Sequence, residues 1–343
     1  MQKHSQPNGK SRVQFKVKSG RQKTHSSRQT RDHLWVQIAA LLLSSSLLSL
    51  AADSTPSATT IEQAISSPEF VRVEPGSFFP RKTRSEERHA DGNTAHKVEI
   101  SRPFLMSRTE VTNSQMLSML KLGLELNYIE ANRGSVSMPA KRGETTITVL
   151  NFQNSDIAFT DGQFQIAQGK EAHPCTGVTW YGAQVYANLY SESLNLKPAI
   201  DVHTWECDFM GAGFRLPTES EWEYAHQAGE ETNSLQHPSK LPALAADQNG
   251  ESRPVDTDPK NPWGLVGMDG NVSEWCWDWF GASRHSSKID PSGPAEGWRK
   301  AVRGKHFLRN TEPAQNAVRI SGLPFNENKF WGFRIVRTLV EQE

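Results

Sequence analysis

Cysteine is scarce in this chain: Cys175, Cys207 and Cys276 are the only three among 343 residues, with no CxxC pair and no Cys/His spacing suited to zinc. Long hydrophobic runs are absent apart from one near the N-terminus, and net charge is absent too, with 38 basic and 38 acidic residues. That balance conceals an asymmetry. Residues 1–52 hold nine Lys/Arg and one Asp, which leaves 29 basic against 37 acidic residues from position 53 onward. An acidic body has no electrostatic footprint for nucleic acid, so no such partner is expected. At 36% hydrophobic the chain is not disordered throughout, and its length suits one large or two medium domains with a buried core. Ten Trp, 15 Phe, 24 Gly and 19 Pro describe a loop-rich protein with an aromatic core.

Residues 1–33 are polar and basic (Lys10, Arg12, Lys16 and Lys18 among them) without apolar periodicity, and disorder is expected there. Leu34 to Leu50 is the one apolar run, interrupted by Gln37 and four serines and followed by Ala51-Ala52-Asp53. A basic stretch, an apolar stretch and small residues at its end make residues 1–52 a secretory signal cleaved near Ala51 or Ala52. The competing reading is an uncleaved anchor, because 17 residues is the short limit for a span; a membrane enters only in that case. Either way the body is expected to be exported to a periplasm, envelope or medium. In that oxidising setting a Cys175–Cys207 bridge with Cys276 buried and free is the preferred arrangement, and three buried free thiols the alternative.

Residues 53–68 read as a Ser/Thr/Ala-rich linker and 339–343 as a tail. Between them, Phe70 to Val73, His96 to Ile100 and Phe104 to Met106 alternate as strands. Thr112 and Gln115 form a capping box ahead of a helical face of Met116, Met119 and Leu120. Residues 123–172 carry an inserted β-hairpin or meander, with Thr146 to Leu150 and Phe164 to Ile166 as strands. Thr179 caps a second helix from Trp180 to Tyr190, ended by Pro198. Thr218 and Glu221 form another capping box, opening a short helix with Trp222, Ala225 and Ala228 on one face and Gly229 as C-cap. Trp275, Trp277 and Trp279 alternate on a strand, with Cys276 on the opposite face, and Phe330 to Val336 closes the chain as another strand. Few helices and many short strands predict an α+β fold.

Eight segments occur in a recognisable order: Val73-Glu74-Pro75-Gly76-Ser77-Phe78, Thr109-Glu110-Val111-Thr112-Asn113, His173-Pro174 through Trp180, Phe214-Arg215-Leu216-Pro217-Thr218-Glu219 through Ala225, Asn261-Pro262-Trp263-Gly264-Leu265, Gly270-Asn271-Val272-Ser273-Glu274-Trp275, Val302-Arg303-Gly304 and Gly332-Phe333-Arg334. In these the chain resembles the formylglycine-generating enzyme family, also called the sulfatase-modifying factor domain, over residues 69–338. The resemblance implies a C-type-lectin-like variant: two or three short helices, small twisted sheets and much ordered coil. Most of these motifs also have a purely architectural account. Arg303, Arg319 and Arg334 are expected as half-buried partners of carboxylates such as Glu223 and Glu274.

In members that make formylglycine, the resemblance implies a pair of copper-binding cysteines between the strand at Val302-Arg303-Gly304 and the strand at Arg319. No cysteine follows Cys276, so neither is present and copper is not expected. Calcium is a possible cofactor by the same resemblance, held by the Glu274 carboxylate and the Gly270 and Val272 carbonyls; Gly267 stands where an Asp or Asn side chain is normal, which weakens the site. His89, Asp91 and His96 resemble an iron-binding triad, but their spacing is compressed and a solvated loop is the preferred reading. Arg303, Lys305, His306, Arg309 and Arg319 fall on the segment that lines the family's groove. Their basic character suggests an anionic peptide or glycan as ligand, the bland alternative being solvated charges paired with Glu312 or Glu327. Three readings follow: a binding or structural module that has lost the thiols, an oxidative enzyme of different chemistry using His306, Arg309 and Arg319, or formylglycine generation itself.

Overall fold

The computed structural model divides the chain into residues 1–57 and a unit of 58–343. It describes residues 67–81, 97–139, 145–229, 250–281, 288–309 and 319–340; the apolar run, the His89/Asp91/His96 loop and Glu312 lie outside these. In chain order the elements are β1 (Phe70–Val73), β2 (Gly76–Phe78), β3 (Val98–Ile100), β4 (Phe104–Ser107), α1 (Asn113–Glu125), β5 (Glu130–Ala131), β6 (Ser135–Met138), β7 (Ile147–Asn151), β8 (Ile157–Thr160), β9 (Gln163–Ile166), α2 (Trp180–Ser193), α3 (Glu219–Gln227), β10 (Ser273–Trp279), β11 (Lys300–Arg303), β12 (Arg319–Gly322), β13 (Trp331–Gly332) and β14 (Val336–Thr338). Among the described residues, three helices and many short strands make the fold α+β.

Each helix starts where a threonine satisfies an otherwise orphaned amide. The Thr112 hydroxyl accepts from the Gln115 amide at 3.2 Å while the Gln115 side chain accepts from the Thr112 amide at 2.9 Å. Thr218 and Glu221 repeat this reciprocal pattern at 3.1 and 2.8 Å, and Thr179 caps α2 through the Gly182 amide. The end of α3 differs from expectation. Ala228, not Gly229, is the C-cap, in a left-handed conformation at φ 47°, and Gly229 follows at φ 77°. Tertiary context fixes this end, since Ala228 is buried and its amide closes the last turn on the Tyr224 carbonyl.

The strands assemble as β1-β4-β14, β12-β11-β10-β13, β2-β3, β5-β6-β7 and β8-β9. The segment expected as one strand from Phe330 to Val336 is split. Trp331–Gly332 joins β10 in parallel, and Val336–Thr338 joins β4 in the other sheet, because Phe333, Arg334 and Ile335 cross between the sheets. Two buried clusters flank β10. One gathers α1, α2 and the β5 to β9 meander with Trp275; the other gathers α3 and β1 to β4 with Cys276. Alternation along β10 therefore sends Trp275 one way and Cys276 the other. Gly182 lets α2 lie against β7, since a Cβ there would come within 2.8 Å of the Val149 carbonyl carbon.

Candidate functional site

Arginine and carboxylate side chains organise the region around β11. Arg303 is fully buried between Glu219 at 3.3 Å and Glu223 at 3.1 Å, with its guanidinium over the Trp222 ring. Arg319 faces Arg303 across β11 and β12 and binds the same Glu219 with Nη2 at 3.0 Å, while also reaching the Gly281 carbonyl and the Phe280 ring. Glu219 opens α3, where the helix dipole favours a negative charge. Arg334 forks onto Glu274 at 2.6 and 2.7 Å, and Arg215 forks onto Glu221 at 2.7 Å through both nitrogens. Arg303 and Arg334 are wholly rather than half buried. Of the five basic residues placed on the groove segment, Arg303 and Arg319 are thus internal.

Beyond Gly304, at φ 80°, the chain turns outward. Lys305 and His306 are half-buried, and the His306 ring lies 4.7 Å from Phe330 and 6.1 Å from Phe307. Phe307 anchors the turn by donating its amide to the Asn271 carbonyl, and Leu308 is exposed. Arg309 ends a single 3-10 turn. Lys305 and His306 are therefore the two groove residues whose described side chains are partly exposed.

The thiols are not poised for chemistry. All three cysteines are free, so the expected Cys175–Cys207 bridge is not formed. Cys175 belongs to the first buried cluster and Cys276 to the second, where burial drives each thiol pKa upward; for Cys276, Asp278 and Glu219 add to that. Burial likewise pushes the Cys207 thiol up to about 12. A reactive thiolate needs the opposite environment.

Of the residues that the resemblance assigns to calcium, Glu274 is already held in a buried ion pair with Arg334. Glu274 has both oxygens engaged by Arg334 and accepts the Trp222 indole N–H at 2.8 Å as well. Gly267 supplies no side chain, and the space beside it is filled by the buried Glu110, whose carboxyl carbon would lie 2.7 Å from a Cβ at 267. The two Glu110 oxygens have no hydrogen-bond partner, and burial together with the Glu274 charge raises its pKa to about 8. Among the described residues no group of three or more His, Cys, Asp or Glu side chains is arranged to hold a metal.

Two features escape a reading of the sequence. Glu110 is one, hidden within a motif that reads as a helix entrance. The other is Lys300, buried among tryptophans: its ammonium lies 3.6 Å from the Trp279 ring centroid, 4.0 Å from Trp180 and 5.1 Å from Trp277, and donates to the Trp277 carbonyl at 3.0 Å. The signal available was the shared strand face of Trp277 and Trp279, which says nothing of a partner 21 residues on.

Comparison with known proteins follows the same lines. A Streptomyces coelicolor formylglycine-generating enzyme is 27% identical over 297 residues, covering 77% of this chain and 87% of the relative. The serine/threonine-protein kinase pkn1 of Chlamydia caviae is 29% identical over 276 residues, 78% of this chain. The chain spans 38% of that chlamydial relative's length. Among solved structures, Treponema denticola variable protein 1 matches with a TM-score of 0.54 at 22% identity, covering 79% of this chain and 95% of that one. The family model of the sulfatase-modifying factor enzyme 1-like domain matches residues 56–339, and the chain belongs to this family.

Proposed function

We propose that the chain is an exported binding module of the sulfatase-modifying factor family, holding an anionic peptide or glycan at Lys305, His306 and Arg309. One observation carries the absence of copper chemistry in this reading: no thiol follows Cys276, and Cys276 is itself buried on the face of β10 that packs toward α3. Two soft sulfurs on the groove segment are what copper chemistry of this family needs. Membership alone does not decide the matter, since one relative is named as a kinase and another as a formylglycine-generating enzyme.

For the ligand, the support is a basic turn on an acidic body, with Arg303 and Arg319 internal and Lys305 and His306 partly exposed. Lysine and arginine offer charge-assisted donors to sulfate or carboxylate groups. Incubating the purified chain with a Cys-x-Pro-x-Arg peptide, copper and oxygen tests the reading. No aldehyde should form; an aldehyde-bearing product lost on Cys276→Ala would establish the oxidase instead. In parallel, sulfated glycans and peptides should raise the melting temperature of the native chain but not of a His306→Ala, Arg309→Ala variant. That gain should fade as pH rises from about 5.5 to 7.5, where an imidazolium is lost. Mass spectrometry of secreted or envelope material should show an N-terminus between Ala51 and Ser54.

A further inference from the structure

On the other side of β11 from Arg303, aromatic rings from three parts of the chain converge. Trp180 and Tyr181 open α2, Trp277 and Trp279 come from β10, and Trp205 and Phe209 come from the loop after α2. Trp205 lies 4.6 Å from Tyr181 and 6.3 Å from Trp180, Trp277 lies 5.4 Å from both Trp180 and Phe209, and Lys300 links Trp277 to Trp279. All but Trp180 are partly exposed, Met210 is 45% exposed and Trp298, next to the Gly297 backbone that packs on Trp279, is 88% exposed. A contiguous aromatic surface with a polar rim marks an interaction site more often than a solvated accident.

The loop that presents Trp205 is strained in order to do so. Trp205 adopts φ 59°, a left-handed conformation unfavourable for a bulky residue, and is held there by its amide on the Asp201 carbonyl and by the Ile200 to Cys207 bridge. Strain of this kind persists where the surroundings over-determine it, and it concentrates at binding sites.

Charge selects the occupant. Residues 198–213 carry Asp201, Glu206 and Asp208, all exposed, and no lysine or arginine; Glu296 is exposed beside Trp298. Of the nearby cations, Lys197 stands 4.0 Å from Asp208, Arg215 lies over the Phe209 ring but forks onto Glu221, and Arg299 hydrogen-bonds Ser321 at 2.8 and 2.9 Å. Beneath the rings the buried Lys300 already places a nitrogen among three indole faces. We propose that this acidic-rimmed aromatic surface docks a lysine- or arginine-bearing segment of a partner protein. Exposed indole faces supply cation–π and apolar contact, and the Glu206, Asp208 and Glu296 carboxylates supply attraction and orientation.

Tetra-arginine peptide is the probe. With the full chain it should change tryptophan fluorescence and raise the melting temperature, with affinity falling steeply in salt. A Glu206→Gln, Asp208→Asn, Glu296→Gln variant should bind at least about tenfold more weakly, since removing three rim charges costs more than the 1.4 kcal/mol of one decade. Trp298→Ala, a change at an exposed side chain, should also weaken binding. His306→Ala, Arg309→Ala should leave it intact, which separates this surface from the anionic-ligand turn. No response to tetra-arginine, or equal responses from wild type and the rim variant, overturns the proposal. So does a neutral cello-oligosaccharide that binds as tightly as tetra-arginine and depends on Trp298, because the platform would then read sugar faces and not charge.

Discussion

Arg303 and Arg319 face each other across an antiparallel strand pair and share one carboxylate, that of the fully buried Glu219. Glu219→Gln would strip Arg319 of its carboxylate and leave Arg303 with Glu223 alone. A loss of about 3–5 kcal/mol is expected in urea denaturation, because an uncompensated buried charge is far costlier than a broken surface pair. Arg72 and Glu74 supply the comparison: that pair is 52% and 65% exposed, and Glu74→Gln should change stability by no more than about 1 kcal/mol.

Glu274 distinguishes an ion pair from a metal site. With both oxygens on Arg334, Glu274→Gln should destabilise strongly, and chelator should not shift the melting temperature of the native chain. A calcium ligand would behave differently. Chelation would then lower the melting temperature and the variant would lose that dependence, since a metal bound only by the folded state stabilises it by mass action.

Asp278 and Lys300 give stability a pH dependence with two limbs. Burial, helped by Glu219, raises the Asp278 pKa from 3.8 to about 8, so its contribution is complete below about 4 and is lost as pH climbs to 8. Burial lowers the Lys300 pKa from 10.5 to about 7 against the pull of Asp278, so its contribution is present above about 10.5 and is lost as pH falls to 7. Stability should therefore pass through a minimum near neutral to mildly alkaline pH. Asp278→Asn keeps an acceptor for the Glu219 amide and should remove the acid limb, raising the melting temperature at pH 8 by on the order of 3 °C while changing little at pH 5. Lys300→Met should remove the alkaline limb. Melting curves across pH for both variants check the assignment.

Thiol counting tests the redox state directly. Denatured without reductant, the full chain should release three equivalents to a thiol reagent; one equivalent would mean that two of the three are bridged. In the native state Cys207, the only one of the three that is not fully buried, should react first, and faster at higher pH because its pKa lies near 12.

Helix entrances were legible in the sequence because a capping box is decided by residues three apart. Thr112 and Thr218 cap as their spacing predicts, and Thr179, placed just ahead of the second helix, caps it through the Gly182 amide. The face alternation of β10 was legible for the same local reason. The split between β13 and β14 was not, because an unbroken apolar run does not say which sheet each residue joins. Nor was the identity of the carboxylate that Arg319, expected as a half-buried ion-pair partner, would meet. Its partner stands 100 residues earlier on α3, and only the pairing of β11 with β12 brings them together. Charged residues that read as a ligand surface were thus partly structural, while the aromatic surface around Lys300 went unread because its parts lie on three separate stretches.

The alternation of β10 has one more consequence. Glu274, Cys276 and Asp278 point toward α3, and Trp275, Trp277 and Trp279 toward α2. A slip of one residue against β11 would exchange carboxylates for indoles on both sides at once, stranding Arg334 and the Glu219 amide against tryptophan and driving acids into the aromatic cluster. The strand acts as a keyed bulkhead: wrong registers are penalised twice over, in two separate cores, so the correct seating is enforced without any covalent clamp.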